Sequence, residues 1–390
     1  NWYDENLNNL DWDAVRQKYE GAASSAVDSG SFVRAVSMML GELNGSHTGY
    51  KAYPAKKSTP PSRGWTEETG HLGVQYERDY HGPGLKVSYV IPRGPTDQLD
   101  SRLKVGDVIL SIDGVEIDSK TDLTEILTDD PNRNVELNVS RPAEKDEKRK
   151  KDTLTVRPFN YSKARELLAE DHIQKTRDLV EKASNGRVGY VFVPRMGWDE
   201  FIQFEAELFA CGVGKEGLII DVRNNGGGFT TDHLLTALTP PQHAITVPRA
   251  GGPGYPQDRR VYATWAKPIT VLCNQNSFSN AEIFSHSIKE VKRGKLVGVP
   301  TTGGVISTGS ATVRDMGTLR LPFRGWYRKS DGADLEMNGA VPDFVVWPKP
   351  EDHAAGVDRQ VNKAVSVLLE EINANKAKPK PSLVPKSERK

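Results

Sequence analysis

The sequence predicts an α/β protein with an N-terminal helical segment and an inserted β-rich domain. Three observations carry that prediction. From about residue 159, apolar runs of strand length alternate with amphipathic stretches of helix length, the pattern of a mostly parallel sheet covered by helices. Residues 67–158 read as short strands separated by turn signals. Residues 1–66 read as two helices followed by a breaker-rich linker. The α/β part is expected over 159–374, and the basic, proline-bearing stretch 375–390 is expected to be disordered.

Taken in order, the first helix opens at Asp11 and sets Trp12, Val15 and Tyr19 on one face. The second covers about Ser31–Leu43, gathers Phe32, Val33, Val36, Met39 and Leu43, and stops at Asn44-Gly45. "PAKKSTPPSRG" (54–64) is the linker. In the β-rich part, 85–92 is a strand, and 103–117 is strand, turn and strand around Asp113-Gly114. Residues 119–129 form a short helix with a serine cap, 134–142 an edge-type strand closed by Pro142, and 144–151 a solvated charged loop. A helix at 163–183 leads into strand 187–194, helix 199–211, strand 217–223, a helix around 234–238, strand 269–274, helix 280–291 and strand 295–300. "GLIIDVR" (217–223) has the unbroken apolar character of a strand buried on both faces. An amphipathic helix at about 358–373 closes the fold.

Composition narrows the function. The 52 Lys and Arg residues balance 52 Asp and Glu, so no global field favours nucleic acid or an anionic membrane. Cys211 and Cys273 stand alone, without metal spacing, and read as small buried hydrophobes; no metal or cofactor is expected. No apolar run approaches the ~20 residues of a membrane-spanning helix. The expected location is cytoplasmic, although a chain that begins at Asn1 gives the missing signal peptide no weight.

Three segments carry candidate chemistry. In "KPITVLCNQNSFSNAEIFSHSIKEV" (267–291) a buried strand runs into a polar turn and then a helix. Ser279 at the helix mouth suits a nucleophile, because the next N–H, on Asn280, and the helix N-terminus both favour developing negative charge. Ser277 or Ser279 serves equally as a plain N-cap, with Glu282 completing a capping box. "IIDVRNNGGGFTTDHLL" (219–235) is a second strand–turn–helix whose glycines allow close backbone approach. It lacks the Gly-Lys-Ser/Thr of a phosphate loop. Alone it is a tight turn; beside a nucleophile from the same sheet it becomes the other half of an oxyanion hole. His47, in "NGSHTGY", is the candidate base, and a surface position is the plain alternative. His71, His172, His233, His243 and His286 have no better local setting.

"NQNSFSNAEIF", "IIDVRNNGGG" and "GSHTGY" together resemble the tail-specific (C-terminal processing) peptidases, and most closely their tricorn branch. The resemblance covers nearly the whole chain: "ENLNNLDWDAVRQKYE" resembles the start of that catalytic core, and "GAVPDF" (339–344) its end. It implies a crotonase-like α/β catalytic domain and a PDZ-like domain at 67–158. It implies Ser279 as nucleophile, His47 as base, oxyanion donors on Asn280 and Gly227, and substrate contacts at Gly228 and Asn280. Many family members use a Ser–Lys dyad, but the matching stretch "PTTGGVISTGS" has Gly304 at the lysine position. The tricorn branch instead pairs the histidine with a second serine and a glutamate, which implies Ser46 and Glu336, with Asp334 and Asp343 as rivals. That branch has an aspartate, linked to basic P1 residues, where this chain has Asn280. In the PDZ-like part the resemblance places the carboxylate-binding loop at His71-Leu72-Gly73-Val74, for peptide docking or as a scaffold that positions His47. A homo-oligomer, a hexamer, is also implied; the β-propeller domains that precede the tricorn core are not in this sequence, which is then either a piece of a longer chain or a shorter homologue. The expected function is a serine peptidase working on peptides through an acyl-enzyme. The alternatives are a catalytically degenerate PDZ-containing peptide-binding protein and, less in keeping with His47, a crotonase-type acyl-CoA enzyme.

Overall fold

Five strands with unbroken apolar runs build the central sheet in a computed structural model that describes residues 2–53, 68–128, 133–142, 150–241, 245–246, 255–256, 263–352, 354–379, 382–384 and 388. They are Val188–Phe192, Gly217–Asp221, Ile269–Cys273, Lys295–Gly298 and Phe344–Val345, all parallel, and they lie side by side in chain order. Right-handed crossovers between neighbours in such an order put the connecting helices on one face. Helices Trp198–Ala210, Thr231–Leu238 and Asn280–Glu290 accordingly bury Phe201, Phe204, Leu234 and Phe284 against Val191, Leu218, Ile220 and Val271. The opposite face takes helix Arg359–Ala377, and Gly217 leaves the room that Leu368 and Ile372 fill. Both faces are covered, which is why these strands show no polar alternation.

The chain divides into two compact units, Asn1–Lys56 with Arg177–Lys390, and Lys57–Thr176. In the first unit, helices Trp12–Ser24 and Ser29–Gly41 are capped by Asp11 and Asp28. The second helix starts two residues before the sequence-based boundary, because Asp28 and Ser31 form a capping box that outweighs the apolar onset at Phe32. A three-stranded antiparallel sheet, Gly49–Ala52, Gly317–Gly325 and Ile306–Val313, was not anticipated. Its glycines, threonines and arginines hide the strand pattern. It borders the candidate site, because Gly49, two residues beyond His47, pairs with Arg320. Trp2, Leu40, Leu43 and Ile306 form the small core beneath it.

The second unit contains the antiparallel sheet Val74–Tyr76, Leu85–Val90, Val108–Ile112, Val135–Arg141, Lys150–Val156, in that spatial order. Val87, Ile109, Ile112 and Leu137 are its fully buried centre. Asp113 and Gly114 both take positive φ, 49° and 78°, the turn that an Asp-Gly pair favours. Two expectations are corrected. Strand Val135–Arg141 is interior, since Lys150–Val156 pairs along its outer side despite starting with charged residues. The short helix is Leu123–Leu127, capped by Asp122 rather than by a serine, because the Asp122 carboxylate reaches the Thr124 N–H at 2.9 Å. The linker 54–64 and the charged run at 144–149 lie outside the described residues, as do 380–381, 385–387 and 389–390 of the tail; its first residues continue the last helix to Ala377.

Candidate active site

The site forms where the central strands end, the usual location in an open parallel sheet. Strand Ile269–Cys273 runs into the turn Asn274–Ser279, and strand Gly217–Asp221 into the glycine turn. Hydrogen bonds sew the two turns together. Ser277, fully buried, donates its hydroxyl to the Val222 carbonyl at 2.8 Å and accepts from the Asn274 N–H at 3.0 Å. The Phe278 N–H donates to the Asn225 carbonyl at 2.9 Å. Ser277 is therefore a strut, and Ser279 presents the hydroxyl.

Ser279 has φ 55° and ψ −117°, a backbone state that a residue with a Cβ adopts at a cost of about 1–3 kcal/mol. It is the N-cap of helix Asn280–Glu290, and Glu282 takes its N–H at 3.0 Å. Its Oγ lies 3.0 Å from His47 Nε2. Cap and nucleophile geometry thus coexist at one residue.

His47 also sits at positive φ, 61°, just past the end of the second helix, and is buried. Its Nδ1 lies 2.6 Å from Ser46 Oγ, which is 3.0 Å from Glu336 Oε2. Glu336 Oε1 accepts the Ser46 N–H at 2.5 Å, and Oε2 the Val305 N–H at 2.7 Å. The rival carboxylates are elsewhere: Asp334 accepts from Tyr3 and the Glu336 N–H, and Asp343 from the Leu296 N–H. His286 binds the Asn338 carbonyl. An acceptor-only carboxylate makes Ser46 the donor to Glu336, so Ser46 accepts from His47 Nδ1–H. That tautomer leaves a lone pair on Nε2, facing Ser279. Burial, with help from the nearby Arg320 charge, holds the His47 pKa down to about 4, so the imidazole is neutral at pH 7.

The glycine turn presses on Ser279. A Cβ at Gly227, where φ is 92°, would sit 2.7 Å from both the Ser279 Cβ and the Phe278 carbonyl oxygen. The Gly227 N–H, expected as an oxyanion donor, donates to Asn225 Oδ1 at 2.9 Å. Gly228, exposed, bridges Met196, whose N–H and carbonyl pair with the Gly227 carbonyl and the Phe229 N–H. Asn280 begins its helix with an N–H that needs no intrahelical partner. Its side-chain oxygen accepts the Thr231 N–H at 3.0 Å, tying the two helix starts.

Gly304, read from sequence as the vacant lysine position, has a positive role. A Cβ there would overlap the Phe278 ring, which stacks on the His47 imidazole at 4.9 Å and 9°. Phe278 had no sequence signal; only its neighbour Ser279 did. Glu282 was legible merely as a cap partner.

In the second unit, Leu72 and Val74 are buried in that domain's own core. The Gly73 N–H donates to His71 Nδ1 at 2.9 Å, and the Gly73 carbonyl accepts from the Ile91 N–H. The Leu72 carbonyl accepts from Thr96 Oγ1 at 2.9 Å. His71 is packed between Phe159 and Tyr161. The Gly73 N–H and the Leu72 and Gly73 carbonyls are thus engaged within the domain.

Among the described residues no group of three or more His, Cys, Asp or Glu could hold a metal ion, and no helix is long and apolar enough to cross a membrane. Residues 187–346 match Peptidase family S41, and residues 70–157 match the PDZ domain. Tricorn protease homolog 1 of Streptomyces coelicolor is 29% identical over 391 residues, covering 97% of this chain and 34% of the relative. The tricorn protease homolog of Saccharolobus solfataricus is 29% identical over 380 residues, covering 95% and 33%. The crystal structure of the tricorn protease shares the fold, with a TM-score of 0.73 at 22% identity over 96% of this chain and 35% of that one. The chain spans about a third of the length of the curated relatives it matches. It carries a peptidase family S41 domain with a PDZ domain before it in sequence, and is a tricorn-like relative of the serine peptidases of that family.

Proposed function

We propose that the chain hydrolyses peptides through an acyl-enzyme on Ser279, with His47 as base and Ser46 and Glu336 as the groups that orient the base. One observation carries the reading: the unbroken line from Ser279 Oγ to His47, Ser46 and Glu336, at 3.0, 2.6 and 3.0 Å. Each distance is within hydrogen-bond reach for proton transfer or orientation. In this reading His47 Nε2 takes the Ser279 proton as Oγ attacks the scissile carbonyl. Ser46, held by Glu336, stabilises the imidazolium. The proton then passes to the leaving amine, and water repeats the sequence on the ester. The Asn280 N–H faces the developing oxyanion. With the Gly227 N–H engaged by Asn225, we assign the second donor to Gly228. Residues 1–66 and 159–374 make up the catalytic body in this proposal, and 67–158 the insertion. A cytoplasmic, homo-oligomeric protein belongs to the same proposal and rests on family resemblance alone.

The alternative of a degenerate peptide-binding protein draws support only from the PDZ-like domain, and the engaged Gly73 N–H weakens it. A chromogenic p-nitrophenyl ester separates the two. The peptidase reading expects a burst of p-nitrophenol with about one equivalent per chain, as an acyl-enzyme accumulates, and none from Ser279→Ala. A folded wild type without any turnover of ester or peptide would favour the binding protein.

A further inference from the structure

Glu282 lies one turn into the helix that follows Ser279 and is completely buried. Its Oε1 accepts the Ser279 N–H at 3.0 Å and the Gly304 N–H at 2.8 Å. Its Oε2 accepts the Thr301 hydroxyl at 2.6 Å and the Gly303 N–H at 2.5 Å. A buried carboxylate is tolerated only with such a complete set of donors. A capping box needs one of the four. The other three fasten the loop 301–304, which contributes nothing to the cap.

That loop also supports the histidine and the Glu336 segment. Gly304 leaves the space for the Phe278 ring that stacks on His47. The next residue, Val305, donates its N–H to Glu336. The Gly303 carbonyl accepts the Met337 N–H at 2.7 Å, and Thr301 Oγ1 accepts the Ala340 N–H at 2.8 Å, so the segment around Glu336 hangs from the same loop. From Glu282 it is one hydrogen bond to the nucleophile's own backbone, and one loop residue to the supports of the base and of the orienting carboxylate.

We infer that Glu282 is a positioning residue: its carboxylate sets Ser279, the Phe278 plate beneath His47, and Glu336 in a single register. It touches no reacting atom. The inference rests on the reading of Ser279 as nucleophile. Glutamine has nearly the same shape but replaces one acceptor by an NH2 group. With its NH2 in place of Oε1 it faces the Ser279 and Gly304 N–H groups; in place of Oε2 it faces the Gly303 N–H and forces the Thr301 hydroxyl to turn and accept.

The test uses diisopropyl fluorophosphonate on the whole chain, resolving the maximal labelling rate kinact from the binding constant KI. Oγ displaces fluoride from phosphorus, and the Ser279 proton leaves with the base. Glu282→Gln should lower kinact about 10²-fold, the effect of a displacement on the order of 1 Å at a reacting group, with KI unchanged. Thr301→Val, which removes a single donor and is the milder variant if Glu282→Gln does not fold, should lower kinact about 5-fold. Both should reach full end-point stoichiometry, since the folded fraction retains the nucleophile. Folded variants that label at the wild-type kinact, with only a lower melting temperature, would overturn the inference and leave Ser279 as nucleophile intact. A folded wild type that fails to label would overturn both.

Discussion

At the scale of single residues, the proposed mechanism depends on one proton acceptor being neutral. His47 must present a lone pair at Nε2, and protonation removes it. In that mechanism activity is present above the His47 pKa and lost as pH falls through it. Burial and Arg320 place that pKa at about 4, below the ordinary ~6.5. The acid limb of kcat/KM should fall well below pH 6, with nearly full activity at pH 5.5; a half-maximal point near 6.5 would show that His47 is not desolvated in the working enzyme. Glu336→Gln tests the other end of the line. Its amide can donate to Ser46 and reverse the chain of hydrogen bonds, leaving the wrong imidazole nitrogen protonated. We expect kcat to fall by roughly two to four orders of magnitude with KM little changed. Equal loss in the Asp334→Asn variant would instead point to general disturbance of the segment. Ser279 illustrates why sequence alone left alternatives open. Cap and nucleophile need the same residue type at the same helix position, and only the positive φ and the facing histidine separate them.

At the scale of elements, the strand–turn–helix units were readable because apolar runs and turn residues mark them directly. The antiparallel sheet after His47 was not, since its strands are threonine- and glycine-rich, and its first strand, Gly49–Ala52, pairs with Gly317–Gly325 far along the chain. The partnership of Phe278 and Gly304 was hidden as well, because the two come from separate turns that only the fold brings together. Gly304→Ala should displace the Phe278 ring, tilt His47 and reduce kcat at least about 10-fold. Wild-type turnover in that variant would mean the stacked ring is incidental; the matching measurement is steady-state kinetics on a peptide cleaved by the wild type. The loop His71–Val74 poses a different case. The sequence pattern for a carboxylate-binding loop is present, but the Gly73 N–H already donates to His71. A peptide with a free C-terminal carboxylate should therefore bind no better than its amide by calorimetry, and His71→Ala should improve the acid form selectively. A strong preference for the free acid in the wild type would show that the loop opens on binding.

At the scale of the whole molecule, the balance of 52 cationic and 52 anionic side chains removes long-range steering from the account and leaves recognition to local geometry. The parts that recur across the chain, a histidine after a helix end, a glycine turn and a serine at a helix mouth, were legible as motifs because each needs particular residue types. Their convergence was not, since His47, Gly227, Ser279 and Glu336 come from four separated segments that only the fold unites. The central claim is that this convergence makes one serine of the folded chain nucleophilic. A fluorophosphonate reaction followed by peptide mapping tests it most directly. We expect one adduct per chain, located on Ser279 and abolished by Ser279→Ala or His47→Ala. An adduct on another serine, or none on a chain shown to be folded, would contradict it.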